Sequence, residues 1–109
     1  NVLDEDWRLL RDVYDQVEHP DFGLCLDIGH AHCYSDISVI EWAKELAPYV
    51  RHVHIHDNAG ERDSHLGLGR GNLPWREVLS YLPRTETRTW TIECMNKEDV
   101  QICVQSLLT

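Results

Sequence analysis

The sequence alternates between two hydrophobic periods, and this alternation restricts the fold more than any other feature. Apolar residues from Leu3 to Val17 are three or four positions apart, which predicts a helix that ends before Pro20. Short apolar runs between helical segments predict three strands, at about 22–27, 51–56 and 88–93. A repeating strand-plus-helix unit of roughly 30 residues is typical of a parallel sheet. The chain is therefore predicted to be an α/β protein, with either a doubly wound sheet or part of a (β/α)8 barrel.

Capping residues and prolines mark the other predicted helices. Asp36 is a candidate N-cap for a second helix, which is predicted to bury Ile37, Ile40, Ala43 and Ala47. Pro74 is expected in the first turn of a third helix, and Asn96, with Asp99 three residues later, resembles the capping arrangement of a fourth. The glycine-rich segment 67–71 is predicted to be a structural loop, because it matches neither a Walker nor a dinucleotide-binding fingerprint.

Charge and composition argue against several classes of protein. Nineteen acidic residues against ten basic ones give a formal charge of −9, and the dispersed basic residues disfavour a free-standing nucleic-acid binder. No apolar stretch approaches the roughly 20 residues that cross a bilayer, and the first residues do not form a signal peptide, so we expect no membrane partner and a cytoplasmic location. The four cysteines lack C-x-x-C spacing and are expected to be reduced and mostly buried.

Within each predicted strand, small or polar residues alternate with bulky apolar ones. The small or polar set comprises Gly23, Cys25, Asp27, His52, His54, His56, Thr89, Thr91 and Glu93. The bulky set comprises Phe22, Leu24, Leu26, Val53, Ile55, Trp90 and Ile92. In a (β/α)8 barrel, one parity of each strand fills the interior, and the chemistry gathers at the carboxyl ends of the strands. The alternation therefore favours a barrel over a doubly wound sheet.

Three of the inward-facing residues near the strand ends are of types that bind divalent metals: Asp27, His54 and Glu93. Taken alone, a carboxylate after a strand is more often a helix cap, and a strand histidine is more often a hydrogen-bonded core group. Together, at one end of one face, they predict a metal site, and their mixed oxygen and nitrogen donors leave Zn, Mn, Co, Fe and Mg open. His56 is expected to orient a ligand from the second shell, and His52 to be structural.

Four segments in register resemble the xylose isomerase-like TIM-barrel superfamily, which contains sugar and sugar-phosphate isomerases and epimerases and the endonuclease IV class of DNA-repair enzymes. The segments are 23–31, 52–58, 63–71 and 90–93. The resemblance implies that Asp27, His54 and Glu93 are metal ligands and that Glu93 is also the catalytic acid/base. His30 is similar to a catalytic residue that orients substrate in the isomerases and ligates a second metal in the endonucleases.

The resemblance also assigns roles to residues after the second strand. Asp63 and His65 are similar to a further metal-ligand pair of the endonuclease branch. Arg62 is expected to meet a substrate hydroxyl or phosphate. Arg70 stands where the family commonly has an acidic residue, and this departure weakens any detailed inference about the substrate.

The length of the chain implies that the barrel is partial. A closed (β/α)8 barrel takes about 250 residues, so we expect residues 1–109 to form a single partial domain, the C-terminal half, with the N-terminal half missing. By the resemblance, Asn1 follows the position of a fifth-strand metal-binding glutamate. The chain alone is therefore expected to show weak or no turnover.

Three functional classes follow from these observations. The leading one is a metal-dependent sugar or sugar-phosphate isomerase or epimerase, in which a metal-polarised carbonyl acidifies the adjacent C–H and Glu93 transfers the proton. The second is an endonuclease IV-like zinc phosphodiesterase that acts at abasic DNA sites, favoured by Asp63 and His65. The third is a non-catalytic barrel remnant that binds a partner or forms a homo-oligomer through exposed sheet edges.

Overall fold

Helices and strands alternate along residues 5–109, the part of the chain that the computed structural model describes. In chain order they are α1 (Trp7–Val17), β1 (Leu24–Asp27), α2 (Ile28–Tyr34), α3 (Val39–Leu46), β2 (Val50–Ile55), α4 (Trp75–Ser80), β3 (Thr89–Ile92) and α5 (Lys97–Leu108). The strands pair in parallel in the order β1, β2, β3, which confirms the predicted α/β class. Asn1 and Leu3, which figured in the sequence predictions, lie outside the described residues.

The two faces of the sheet differ as the alternation of residue types predicted. Leu24, Leu26, Val53 and Ile55 are buried in the hydrophobic core. On the opposite parity, Cys25, Thr89 and Thr91 are exposed, so the polar face of the sheet is open to solvent. The helices therefore cover one face of this sheet, and the other face carries the candidate site.

The first helix after β1 was not predicted, and the start of the next one was placed incorrectly. α2 begins directly after Asp27, whose carboxylate caps it by accepting a hydrogen bond from the backbone N–H of His30 at 2.8 Å. α3 is capped by Ser38, not Asp36, and its fully buried residues are Val39, Trp42, Ala43 and Leu46. Ile37 lies before this helix and Ala47 after its last residue, and Ile37, Ile40 and Ala47 are only partly buried.

The last two helices begin close to the predicted residues. Pro74 is the N-cap of α4, one residue before the first turn in which it was expected. Asn96 caps α5 by accepting a hydrogen bond from the backbone N–H of Asp99 at 2.9 Å, as predicted. Asn96 thus supplies a side-chain capping hydrogen bond, whereas Pro74 makes none.

The cysteines are free thiols, but most of them are not buried. Cys103 is buried, Cys33 and Cys94 are half-buried, and Cys25 is exposed because it belongs to the open face of β1. The prediction of mostly buried thiols was therefore wrong. No helix within residues 5–109 has the length and apolar character needed to cross a bilayer.

Arg88 holds the amino end of β3 against its neighbours, far along the strand from the candidate site. Its guanidinium donates hydrogen bonds to the backbone carbonyls of Ala47, Val50 and Pro83. We expect Arg88→Met to lower the free energy of unfolding by about 1–3 kcal/mol, because these carbonyls lose their charged donor. Chemical denaturation measures this, with the exposed Arg84→Met as the control, for which little change is expected. Equal effects of the two substitutions would contradict the assigned role of Arg88.

Candidate metal centre

The parallel register of the sheet brings the three predicted metal ligands together. Asp27, the last residue of β1, is paired in register with His54 of β2, and Glu93 directly follows β3. Nδ1 of His54 lies 3.5 Å from Oδ2 of Asp27 and 3.4 Å from Oε1 of Glu93. The side chains of His54 and Glu93 are 29% and 36% exposed, so the group is accessible from the open face of the sheet.

Asp27 is nearly buried, and its two carboxylate oxygens have different surroundings. Oδ1 accepts the hydrogen bond from the backbone N–H of His30 and lies 2.8 Å from Nε2 of His56. Burial alone would raise the pKa of Asp27, but the hydrogen bonds and charges of His56 and His30 outweigh it and lower the pKa below its ordinary value. Oδ2 is buried without a hydrogen-bond partner. The site therefore contains an ionised carboxylate with one oxygen available for a cation.

A second group of potential ligands lies beside the first and includes residues of the loop after β2. One ligand atom from each of His30, His56, Asp63 and His65 lies within 4.8 Å of the others. Nε2 of His30 is 2.9 Å from Oδ2 of Asp63, and the rings of His56 and His65 stack at 3.8 Å. Asp27, His56 and Glu93 form a further group by the same distance limit, so the two groups share His56.

His65 is held by contacts with two acceptors. Its Nδ1 lies 2.7 Å from the carbonyl oxygen of Glu93, and its Nε2 lies 3.0 Å from Oδ1 of Asp63. Partial burial lowers the pKa of His65, but the Glu93 carbonyl and the Asp63 carboxylate favour the charged ring and raise the pKa overall. The ring is thereby tied both to the end of β3 and to its own loop.

The donor atoms fit a divalent cation. Asp27 Oδ2, His30 Nδ1, His56 Nδ1 and Asp63 Oδ1 are buried and lack hydrogen bonds of good geometry. Buried polar atoms are normally paired, so four unpaired ones in adjoining groups call for a ligand. Carboxylate and imidazole donors in this arrangement suit Zn²⁺ and other first-row divalent ions. The predicted residues therefore offer a chemically suitable set, and metal binding by them stays a prediction.

His56 occupies a more central place than its predicted second-shell role. It is completely buried, lies at hydrogen-bond distance from Asp27, and belongs to both candidate groups. Its ring fits because residue 29 is glycine, and a Cβ atom there would overlap with the imidazole. The sequence gives no local signal for this contact, because only the fold brings Gly29 and His56 together.

The other candidate residues are less closely connected to the two groups. Arg62 is exposed, and among residues 5–109 its guanidinium makes no ion pair with the site, so its substrate role stays a prediction. His52 is half-buried between the hydroxyls of Thr89 and Thr91, as expected for a structural residue.

Sequence reasoning missed two residues that follow His56. Asp57 and Asn58 are completely buried, and Asn58 donates a hydrogen bond to the carbonyl of Gly29 at 2.8 Å. Both belong to the framework that surrounds the ligands. The only signal was their position directly after the strand, ahead of the glycine-rich segment.

Comparisons with known proteins identify the fold family of this chain. A family model described as xylose isomerase-like TIM barrel matches residues 4–105. Two uncharacterised proteins of Methanocaldococcus jannaschii, MJ1311 and MJ1614, are 34% and 33% identical over 74 and 86 residues. A crystal structure described as a D-tagatose 3-epimerase-like protein matches with a TM-score of 0.79 and 29% identity. The sheet is thus part of a TIM barrel of the xylose isomerase-like fold.

The chain corresponds to only part of each relative. The alignments cover 67% and 77% of this chain but 25% and 33% of MJ1311 and MJ1614, respectively. The structural match covers 94% of this chain and 39% of the epimerase-like protein. The chain therefore spans a quarter to a third of the length of the curated relatives it matches.

Gly29→Ala tests the packing beneath the ligands. The added methyl group would overlap with the ring of His56, so we expect the free energy of unfolding to fall by about 1–3 kcal/mol, the usual range for overpacking. Because His56 must move, affinity for divalent cations should fall as well. Denaturation and metal titration measure the two effects.

Gly23→Ala is the matched control for this substitution. A Cβ atom at Gly23 would approach Cγ and Cδ of Arg51 at 2.6 Å, so this substitution also overpacks a contact, but one that does not involve His56. Gly23→Ala should therefore retain metal affinity. If Gly29→Ala also retained it, the proposed packing of His56 would be wrong.

Proposed function

Because this chain belongs to the xylose isomerase-like TIM-barrel family, we propose that it supplies one wall of the metal centre of a sugar or sugar-phosphate isomerase or epimerase. The observation that supports this most directly is the convergence of Asp27, His54 and Glu93 at the carboxyl ends of adjacent strands. The epimerase-like structural neighbour supports the same class of reaction. The whole protein's activity and its small-molecule substrate belong to this proposal.

Asp27, His54 and Glu93 would hold the ion, which would polarise a substrate carbonyl and acidify the neighbouring C–H. Glu93 is the candidate acid/base, because its side chain is accessible and a carboxylate can accept and return that proton. His30 would orient a substrate hydroxyl, with its ring held in place by Asp63. Arg62 would contact a further hydroxyl or a phosphate at the surface of the loop.

Substituting a proposed metal ligand should mainly affect metal affinity, whereas substituting the proposed base should mainly affect proton transfer. We expect Asp27→Asn to weaken Co²⁺ or Mn²⁺ binding by more than about 100-fold, beyond the usual effect of an outer-shell substitution. Glu93→Gln should lower solvent-deuterium incorporation into an aldose and ketose panel by at least about 100-fold in the complete protein. Calorimetry and NMR measure these two quantities.

Asp36→Asn and Glu98→Gln are matched controls, because both residues are exposed and neither belongs to the groups of candidate ligands. Neither should change metal affinity or deuterium exchange. Unchanged exchange in Glu93→Gln would remove Glu93 from its proposed role. A complete protein that exchanges no sugar proton in the presence of any of the five metals would count against the isomerase proposal.

An endonuclease IV-like phosphodiesterase is the second candidate function. It is favoured by the group of His30, His56, Asp63 and His65, which offers donors for an additional metal ion. The formal charge of −9 disfavours it, because phosphate binding needs cationic surface. The number of tightly bound ions therefore separates the two functions.

We expect elemental analysis of the complete protein to find one tightly bound ion per chain and no cleavage of DNA that contains an abasic site. Asp63→Asn should then weaken the affinity for that ion without changing the number of ions bound, because Asp63 would orient histidines without binding the ion. More than one zinc ion per chain, with cleavage that Asp63→Asn abolishes, would favour the phosphodiesterase.

A further inference from the structure

Asp57 is a completely buried carboxylate that is surrounded by backbone N–H donors. Its Oδ1 accepts hydrogen bonds from Asn58 at 2.8 Å and Leu73 at 3.0 Å. Its Oδ2 accepts hydrogen bonds from Gly69 at 2.8 Å and Gly71 at 3.1 Å. These four backbone N–H groups replace the water molecules that would otherwise solvate the carboxylate. Charge-assisted hydrogen bonds of this kind are among the stronger ones in proteins.

The four donors come from both ends of the segment 57–73, which we call the ligand loop because it carries Asp63 and His65. The backbone of Asp57 also pairs with Leu66 through two hydrogen bonds, of 2.8 and 2.9 Å. Leu66 directly follows His65, so the backbone pairing of Leu66 with Asp57 also restrains the position of the His65 ring. The carboxylate thus fixes the base of the loop, and the backbone pairing fixes its middle.

His65 needs such support because its backbone is in an uncommon conformation. Its φ is +49°, in the left-handed region that non-glycine residues rarely occupy. The ring nevertheless stacks on His56 and contacts the carbonyl of Glu93. A loop free to relax would favour a different backbone angle and would carry the imidazole away from the site.

The glycines of the ligand loop are placed around the carboxylate. Gly69 has a φ of +90°, which L-residues with side chains rarely adopt. A Cβ atom at Gly71 would overlap with the carbonyl of Asn58 and would lie 2.5 Å from Oδ1 of Asp57. These two positions therefore give the backbone N–H groups their access to Asp57.

We propose that Asp57 is a positioning residue for the metal centre: its carboxylate binds neither metal nor substrate but organises the ligand loop that delivers Asp63 and His65. The effect of Asp57 on metal binding depends on the metal centre described under the proposed function. The organisation of the loop itself follows from the hydrogen bonds alone. The two parts of the inference therefore have separate measurements.

Asp57→Asn is the sharpest test, because it preserves shape and removes the charge. Whichever way the amide is oriented, its NH2 group faces two backbone donors. We expect amide hydrogen exchange to accelerate by at least about tenfold at the pair of donors that faces the NH2 group, either Gly69 and Gly71 or Asn58 and Leu73, as for loss of a charge-assisted bond. Co²⁺ affinity should fall by about 10–100-fold, the range for outer-shell substitutions, with altered Co²⁺ absorption bands.

Val78→Ala is the control for a general loss of stability, because Val78 is buried in α4 and not in the ligand loop. At equal fractions folded, it should leave loop exchange and Co²⁺ affinity unchanged. The positioning role would be overturned if Asp57→Asn left amide exchange in the loop at the wild-type rate. It would also be overturned if exchange accelerated while Co²⁺ affinity stayed at the wild-type value. A loss of affinity in Val78→Ala equal to that in Asp57→Asn would overturn it as well.

A milder pair of variants keeps the test usable if Asp57→Asn does not fold. Gly69→Ala and Gly60→Ala both introduce a methyl group at positive φ, where the nearest atoms beyond the adjoining residues are at least 3.6 Å away. Only Gly69 donates to Asp57, whereas Gly60 donates to the side chain of Asn58. Gly69→Ala should weaken Co²⁺ binding more than Gly60→Ala, and equal effects would overturn the proposal.

The measurements also distinguish this inference from the proposed function. If the wild-type protein bound no divalent cation, the proposed metal centre would fail, and with it the link from Asp57 to the metal. The exchange rates of the four backbone donors would still report whether Asp57 organises the loop. Metal binding without sugar turnover would count against the isomerase while supporting the role of Asp57.

Discussion

The burial of the Asp27 carboxylate at the end of β1 is the constraint on which the rest of the site depends. A buried charge requires compensation, and Asp27 obtains it from the first turn of α2 and from His56. These contacts use one oxygen and leave the other between Nδ1 of His30, at 3.2 Å, and Nδ1 of His54, at 3.5 Å. The same residue thus begins a helix, holds a buried histidine and presents a free ligand atom.

The sequence predicted the parts of the site that follow from strand parity. Asp27, His54 and Glu93 lie at equivalent positions of parallel strands, so alternation alone places them on one face and at one end. α2 was missed because it is a seven-residue helix with no apolar stripe, and because Asp27 was assigned to the metal site in preference to the helix-cap alternative. Asp36 was predicted as the N-cap of α3, but Ser38 is also of a good capping residue type, and packing decides where the helix begins.

The depth of His56 and the environment of Asp57 lay beyond sequence reasoning for a different reason. His56 is buried because Gly29, far away in sequence, leaves space for its ring. Asp57 is satisfied by donors up to 16 residues later, and backbone N–H groups leave no residue-type signal. Periodicity reports the local direction of a side chain, whereas both of these features depend on which distant backbone segments meet. They are also the features that make the ligand arrangement rigid.

The two candidate functions use the same side chains but give the carboxylate of Asp63 different roles. Oδ2 of Asp63 is at hydrogen-bond distance from His30, while Oδ1 faces His65 and is still unpaired. In a single-metal isomerase, this carboxylate fixes the tautomers of neighbouring histidines, as carboxylates commonly do around metal sites. In a multi-metal phosphodiesterase, a second cation would replace the protons between Asp63 and those rings. The loop geometry suits both functions, because the ring nitrogen that donates to the carboxylate can bind a metal ion once it has lost its proton. What distinguishes the two enzymes is therefore whether protons or a cation occupy the space around Asp63.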